Sequence, residues 1–199
     1  MFRALHEKIG VQRAVIVNAT LHGFDNRVVT DAIAQSDGKY RGVANINSAM
    51  SDADLLSLDK AGIRGCRFAF LKRLGGVGDM NAFKRLVDRA TVDAAKGLDD
   101  PEFKALLTLQ KNDEKCWVKI TGLERASASG PPFHDAVPFA KSLIDNAPDR
   151  VIWGTDWPHP NVKIMPNDGD LVDLIPLYAP EPAIRQKLLV ANPARLFKF

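Results

Sequence analysis

The chain has 199 residues, of which 46% are apolar and 26% charged. That composition excludes wholesale disorder, and the length allows one substantial core but is too short to assume two domains. Lys and Arg number 27 against 24 Asp and Glu, a mild excess that excludes the dense basic face of a nucleic-acid binder. It suits a small anionic ligand if the positive charge is concentrated in one place. No apolar run approaches the ~18 residues of a membrane span, so no membrane contact is expected. The opening MFRALHEKIG carries charge throughout and has no apolar signal core, so export is unsupported and a cytoplasmic location is expected. Cys66 and Cys116 lie in apolar runs and read as reduced core residues.

In chain order, Leu5 and Ile9 lie four apart ahead of Gly10, the pattern of the last turns of a helix. Arg13 to Asn18 (RAVIVN) is a continuous β-branched run, which predicts a strand buried on both faces. Residues 26–36 predict a helix stopped by Asp37-Gly38, and Arg41 to Ile46 a second strand. Ser51 or Asp52 caps a helix containing Leu55, Leu56 and Leu58, closed by Gly62. Arg64 to Phe70 predicts a third strand, followed by the glycine-rich LKRLGGVGD and a helix from Met80 to Arg89. Asp99, Asp100 and Pro101 announce the helix from Glu102 to Lys111. Cys116 to Thr121 is a fourth strand, Ser127 to Pro132 a polar, flexible loop, and residues 136–146 a helix with Pro138 in its first turn. Arg150 to Gly154 is a fifth strand. A long loop follows to Asp168, then helices near 171–177 and 182–190.

Strand followed by helix, repeated, means a parallel sheet with helical crossovers. An open doubly wound sheet and a (β/α)8 barrel both satisfy it. Five strands fit the open sheet better, since a whole barrel usually needs about 250 residues. No GxGxxG or GxxxxGK[ST] follows any strand, so nucleotide binding has no support. The alternation fails once. Between Arg89 and Leu98 one helix runs into the lead of the next with no strand between them.

Sites in parallel α/β folds lie at the carboxyl ends of the strands. The polar residues there are Thr20 and His22 after the first strand and Arg67 in the third, followed by Lys72 and Arg73. Glu124 and Arg125 follow the fourth strand. Thr155, Asp156, Trp157 and His159 follow the fifth. A guanidinium inside a buried strand is costly without an anion. Arg67 therefore reads either as a structural ion pair or as a clamp for a ligand carboxylate. Asp156, in the stiff GTDWPHP turn, is placed to take a proton from water or to cap the turn. The four histidines form neither HxH nor HExxH, and Asp156 with His159 gives only two ligands, too few to hold a catalytic zinc. GxSxG is absent as well.

RVIWGTDWPHPN, GIRGCRFAFLKRLGG, IVNATLHGFDN and LLVANPARLF together resemble the amidohydrolase-related (amidohydrolase 2) family, and within it the lactonases. The resemblance covers nearly the whole chain in order. It implies a distorted (β/α)8, TIM-like barrel over residues 1–199 that opens a small carboxylate-bearing lactone in aromatic-compound catabolism. No metal or other cofactor is implied. Asp156 matches the aspartate that activates the hydrolytic water. Arg67, Arg73 and Arg125 match arginines that hold substrate carboxylates and the developing oxyanion. Thr20 matches a hydroxyl residue that contacts substrate, with His22 beside it. The family's first strand and its HxH have no counterpart here. Two further strands, one closing with an Asp-His-Met-Gly-Arg motif, are expected to be missing near residues 89–92. A metal-dependent decarboxylase or other hydrolase of the superfamily, and an inactive barrel remnant acting as a binding module, are the alternative readings. A homo-oligomer is compatible with the sequence.

Overall fold

The computed structural model describes residues 2–47, 49–67, 93–160, 162 and 164–199. The expected helix from Met80 to Arg89, the glycine-rich loop and Arg73 fall outside these residues. The chain divides into two compact units, residues 1–81 with 194–199, and residues 82–193.

In the first unit, helix α1 (Phe2–Ile9) ends at Gly10, whose φ of 78° is the left-handed geometry of a helix stop. Strand β1 (Ala14–Val17), helix α2 (Arg27–Ala34), strand β2 (Tyr40–Asn45), helix α3 (Asp52–Lys60) and strand β3 (Ile63–Arg67) follow. The strands are parallel in the order β1-β2-β3. Ala14 lies opposite Tyr40, and Asn45 opposite Arg67. Ser51 and Asp54 form a reciprocal capping box at the start of α3, so the expected cap is in place. The core here is Val29, Ile33, Tyr40, Ala44 and Ile63. Gly42 lets α2 close onto the sheet, because a Cβ there would lie 2.6 Å from Val29 Cγ1 and 2.5 Å from Ile63 Cδ1.

Two sequence expectations fail in this unit. β1 is half-buried, with Val17 41% exposed. A β-branched run reports a fit to pleated backbone, while burial depends on what packs over it. Cys66 and Arg67 are exposed at the end of β3. Cys66 is therefore no core residue, and the cost of burying a cation does not apply to Arg67.

In the second unit, helix α4 (Pro101–Asn112) starts at Asp100, whose side chain accepts from the Phe103 N–H. Strand β4 (Val118–Ile120), the short helix α5 (Leu123–Ala126), helix α6 (Val137–Asn146) and strand β5 (Val151–Trp153) follow. The last elements are α7 (Asp168–Asp173), α8 (Ile175–Tyr178), α9 (Pro182–Gln186), a π turn over Lys187–Ala191, and the start of α10 (Asn192–Phe197), whose residues from 194 on belong to the first unit. β4 and β5 pair in parallel, with Val118 opposite Val151. Their core gathers Ile120, Val151, Ala140, Ile144, Tyr178 and Leu188. Asn192, buried, donates from Nδ2 to the carbonyls of Pro148 and Val151, which staples the start of α10 to β5. Cys116 is partly buried, and burial, then Asp113, raises its thiol pKa, which argues against a nucleophilic role.

The architecture is α/β with parallel sheets, as the alternation predicts. Among the described residues the strands form a three-stranded and a two-stranded sheet rather than a closed barrel. None of the described helices is long and apolar enough to cross a membrane.

Candidate active site

Each unit carries a polar cluster at the carboxyl ends of its strands. In the second unit, the β4 chain turns at Gly122, which takes φ 70°. This turn starts α5 and projects Glu124 and Arg125. After β5 the chain enters the turn that carries Asp156 and His159, at φ 66° and 56°. Non-glycine residues in that region cost of order 1 kcal/mol or more and occur where the surroundings enforce them.

Arg125 Nη2 donates to Asp156 Oδ2 and, at 2.8 Å, to the Pro160 carbonyl. The Arg125 and Asp156 side chains keep 43% and 28% of their exposure. A half-exposed pair of this kind contributes at most about 1 kcal/mol to stability. Behind it lies a buried set. The side chains of Glu124 and His159 are each 1% exposed. His159 Nδ1 meets Glu124 Oε1 at 3.4 Å and Nε2 meets Asp168 Oδ1 at 3.1 Å. Glu124 Oε1 also lies 3.9 Å from Arg125 Nε, and Glu124 Oε2 is buried without a hydrogen bond. The His159 N–H donates to the Asp156 carbonyl at 2.8 Å. Both His159 nitrogens face carboxylates. Among the described residues no three His, Cys, Asp or Glu side chains are arranged to hold a metal ion.

In the first unit the buried part of the cluster is uncharged. Asn26 Oδ1 accepts from Asn18 Nδ2 at 2.8 Å and from the Asn45 N–H at 2.9 Å. Asn26 Nδ2 donates to the carbonyls of Phe24 and Asn45. Asn45 Nδ2 donates to those of Ala19 and Gly23. All three asparagines are buried, and together they fix the loop that carries Thr20, half-buried, and His22, exposed, on one 3-10 turn. Arg67 Nη1 reaches the Asn18 carbonyl at 3.4 Å. Thr20, His22 and Arg67 thus belong to one cluster, and Arg125 with Asp156 to another.

Sequence reading missed Asn18, Asn26 and Asn45 entirely. An asparagine closing a strand is a usable signal for such a network. It named Glu124 only among polar residues, His159 there and as a possible metal ligand beside Asp156, and Asp168 only as the end of a loop. The expected flexible loop at 127–132 is in fact strapped down by Asp135, which accepts from Ser127 Oγ and the amides of Ala128 and Ser129.

The family model described as amidohydrolase matches residues 89–199. The chain is 39% identical to 2-pyrone-4,6-dicarboxylate hydrolase of Comamonas testosteroni, over 98% of this chain and 78% of that protein. It is 37% identical to 4-sulfomuconolactone hydrolase of Rhizobium radiobacter, over 98% of this chain and 79% of that protein. A crystal structure from Agrobacterium tumefaciens superimposes with a TM-score of 0.80 at 26% identity, covering all of this chain and 84% of the other. The two sequence alignments run over 239 and 236 positions, more than the 199 in this chain. Each relative therefore carries residues with no counterpart here. On this likeness across almost its whole length, the chain belongs to the amidohydrolase family of hydrolases.

Proposed function

We propose that the protein opens a small anionic lactone by adding water across its ring ester, with Asp156 as the general base. Asp156 takes a proton from water, and the water oxygen bonds to the ring carbonyl carbon. An arginine stabilises the oxyanion that forms. The ring C–O bond then breaks, and the proton held by Asp156 passes to the leaving oxygen. Arg125 serves the oxyanion or a substrate carboxylate. Arg67 and Arg73 hold the remaining anionic groups, and Thr20 and His22 contact the ring. The observation that carries this reading is the Arg125–Asp156 pair, set on an enforced left-handed turn and too exposed to be needed for stability. The relatives' names support a lactone carrying carboxylate or sulfonate groups.

The reading includes a distorted (β/α)8 barrel over residues 1–199, lacking a central block near residues 89–92. Alignments longer than the chain support this, as does the family match starting at residue 89, where the strand–helix alternation fails.

The test is hydrolysis of 2-pyrone-4,6-dicarboxylate and of 4-sulfomuconolactone by the whole chain. Asp156→Asn is expected to lower kcat about a thousandfold while calorimetry shows dicarboxylate binding retained. A wild-type chain that opens neither lactone, or a variant with unchanged turnover, overturns the reading. Arg67→Met is expected to weaken binding of the dicarboxylate more than that of a neutral lactone; equal losses would remove its clamp role.

A further inference from the structure

The proposed mechanism uses Asp156 and Arg125 but leaves Glu124, His159 and Asp168 unexplained. Burying the Glu124 and His159 side chains, with Asp168 partly buried beside them, is costly unless they compensate one another. An ionised carboxylate only accepts hydrogen bonds, and a neutral imidazole has one N–H and one lone pair. His159 faces a carboxylate at each nitrogen. With a neutral ring, one carboxylate would face a lone pair. Both contacts are attractive when the ring carries two protons.

We propose that His159 is a positioning residue, held as an imidazolium between Glu124 and Asp168, that keeps Arg125 committed to Asp156. The inference rests on the reading of Asp156 as the base. The geometry forms a closed ring. The His159 side chain engages Glu124, and Glu124 is followed in α5 by Arg125. Arg125 binds the Asp156 carboxylate, and the Asp156 carbonyl accepts the His159 N–H. Asp168 fixes the imidazole from the first residue of α7. Among the described residues, the charged groups that meet the His159 ring are Glu124 from α5 and Asp168 from α7, with Arg125 beyond Glu124 and Asp156 in its own turn.

The consequence lies in competition for Arg125. Glu124 Oε1 is already 3.9 Å from Arg125 Nε, and Glu124 Oε2 has no hydrogen bond to any described residue. Once the imidazolium is removed, Glu124 becomes an uncompensated buried carboxylate beside a guanidinium. It then draws Arg125 away from Asp156, and the base loses its seat.

Two variants and one spectrum test this in the whole chain. His159→Asn is expected to lower kcat about 10- to 100-fold with KM changed less than about threefold, the signature of a misplaced reacting group. His159→Asn combined with Glu124→Gln removes the competing charge and is expected to recover most of that loss. A purely structural role predicts a double variant no better than the single one, and that result overturns the proposal. Nitrogen-15 NMR of the wild-type protein at pH 7 is expected to show both His159 nitrogens protonated; a neutral tautomer overturns the proposal without reference to activity. Should His159→Asn fail to fold, the nitrogen spectrum of the wild-type protein alone decides. A wild-type chain that opens no lactone defeats the functional reading, while the nitrogen spectrum still decides the state of His159.

Discussion

The β1–β3 unit and the β4–β5 unit face the same task, holding a loop rigid at the carboxyl end of a parallel sheet, and they meet it with different chemistry. In the first, three buried asparagines bind one another and the loop carbonyls through amide groups. In the second, carboxylates, an imidazole and a guanidinium do the holding. Amides carry donor and acceptor on one side chain, so a neutral network can pair its groups without ionisation and is indifferent to pH and salt. Charged groups are needed where a proton is to move or an anion is to be met, and their arrangement then depends on compensation. On the proposed function, the first cluster is scaffolding around Thr20 and His22, and the second carries the base.

The comparison can be broken most forcefully at Asn26. Asn26→Ala leaves the Asn45 N–H without its acceptor and Asn18 Nδ2 with only the Asp25 carbonyl. These losses are expected to cost about 3 kcal/mol in urea unfolding. The loss should be the same in ~0.1 M and ~1 M salt; a strong salt dependence would mean that charge, not amide pairing, holds this unit. Arg125→Met is the matching change in the other unit. With its side chain 43% exposed, it is expected to change stability by under about 1 kcal/mol while abolishing most lactone turnover. A cost equal to that of Asn26→Ala would erase the distinction between scaffold and site.

The smallest effect is a local one at Asp135. Desolvation pushes its carboxyl up, but hydrogen bonds from Ser127, Ser129 and Ala128 outweigh this and bring it from 3.8 to about 2. A carboxylate lowered on folding contributes stability above its unfolded value and loses it as pH falls through the folded one. Amide exchange at Ala128 and Ser129 is therefore expected to stay slow at pH 4 and to quicken as pH approaches 2. Fast exchange already at pH 5 would mean the strap does not form.

Most elements could be read from local pattern. The Ser51 cap, the Asp100-Pro101 start and the Gly10 stop act within one or two turns of backbone, and each is found where expected. Burial was misread at β1 and β3, because an apolar run in the sequence does not say what packs over it. Asp156 and Arg125 could be named from their places after strands and from a resemblance. Their mutual contact could not, because it joins residues 31 apart.

What the sequence alone determined was therefore the order and type of the elements, the ends of the helices and the family signature, all set by short-range backbone preference or by motif. What only the tertiary structure decided was which polar groups meet. Asn26 bridges to Asn45 across 19 residues, and His159 to Glu124 across 35. Such pairs depend on where strands and loops return in space, and many residues compatible with a strand end leave that choice open until the chain has folded.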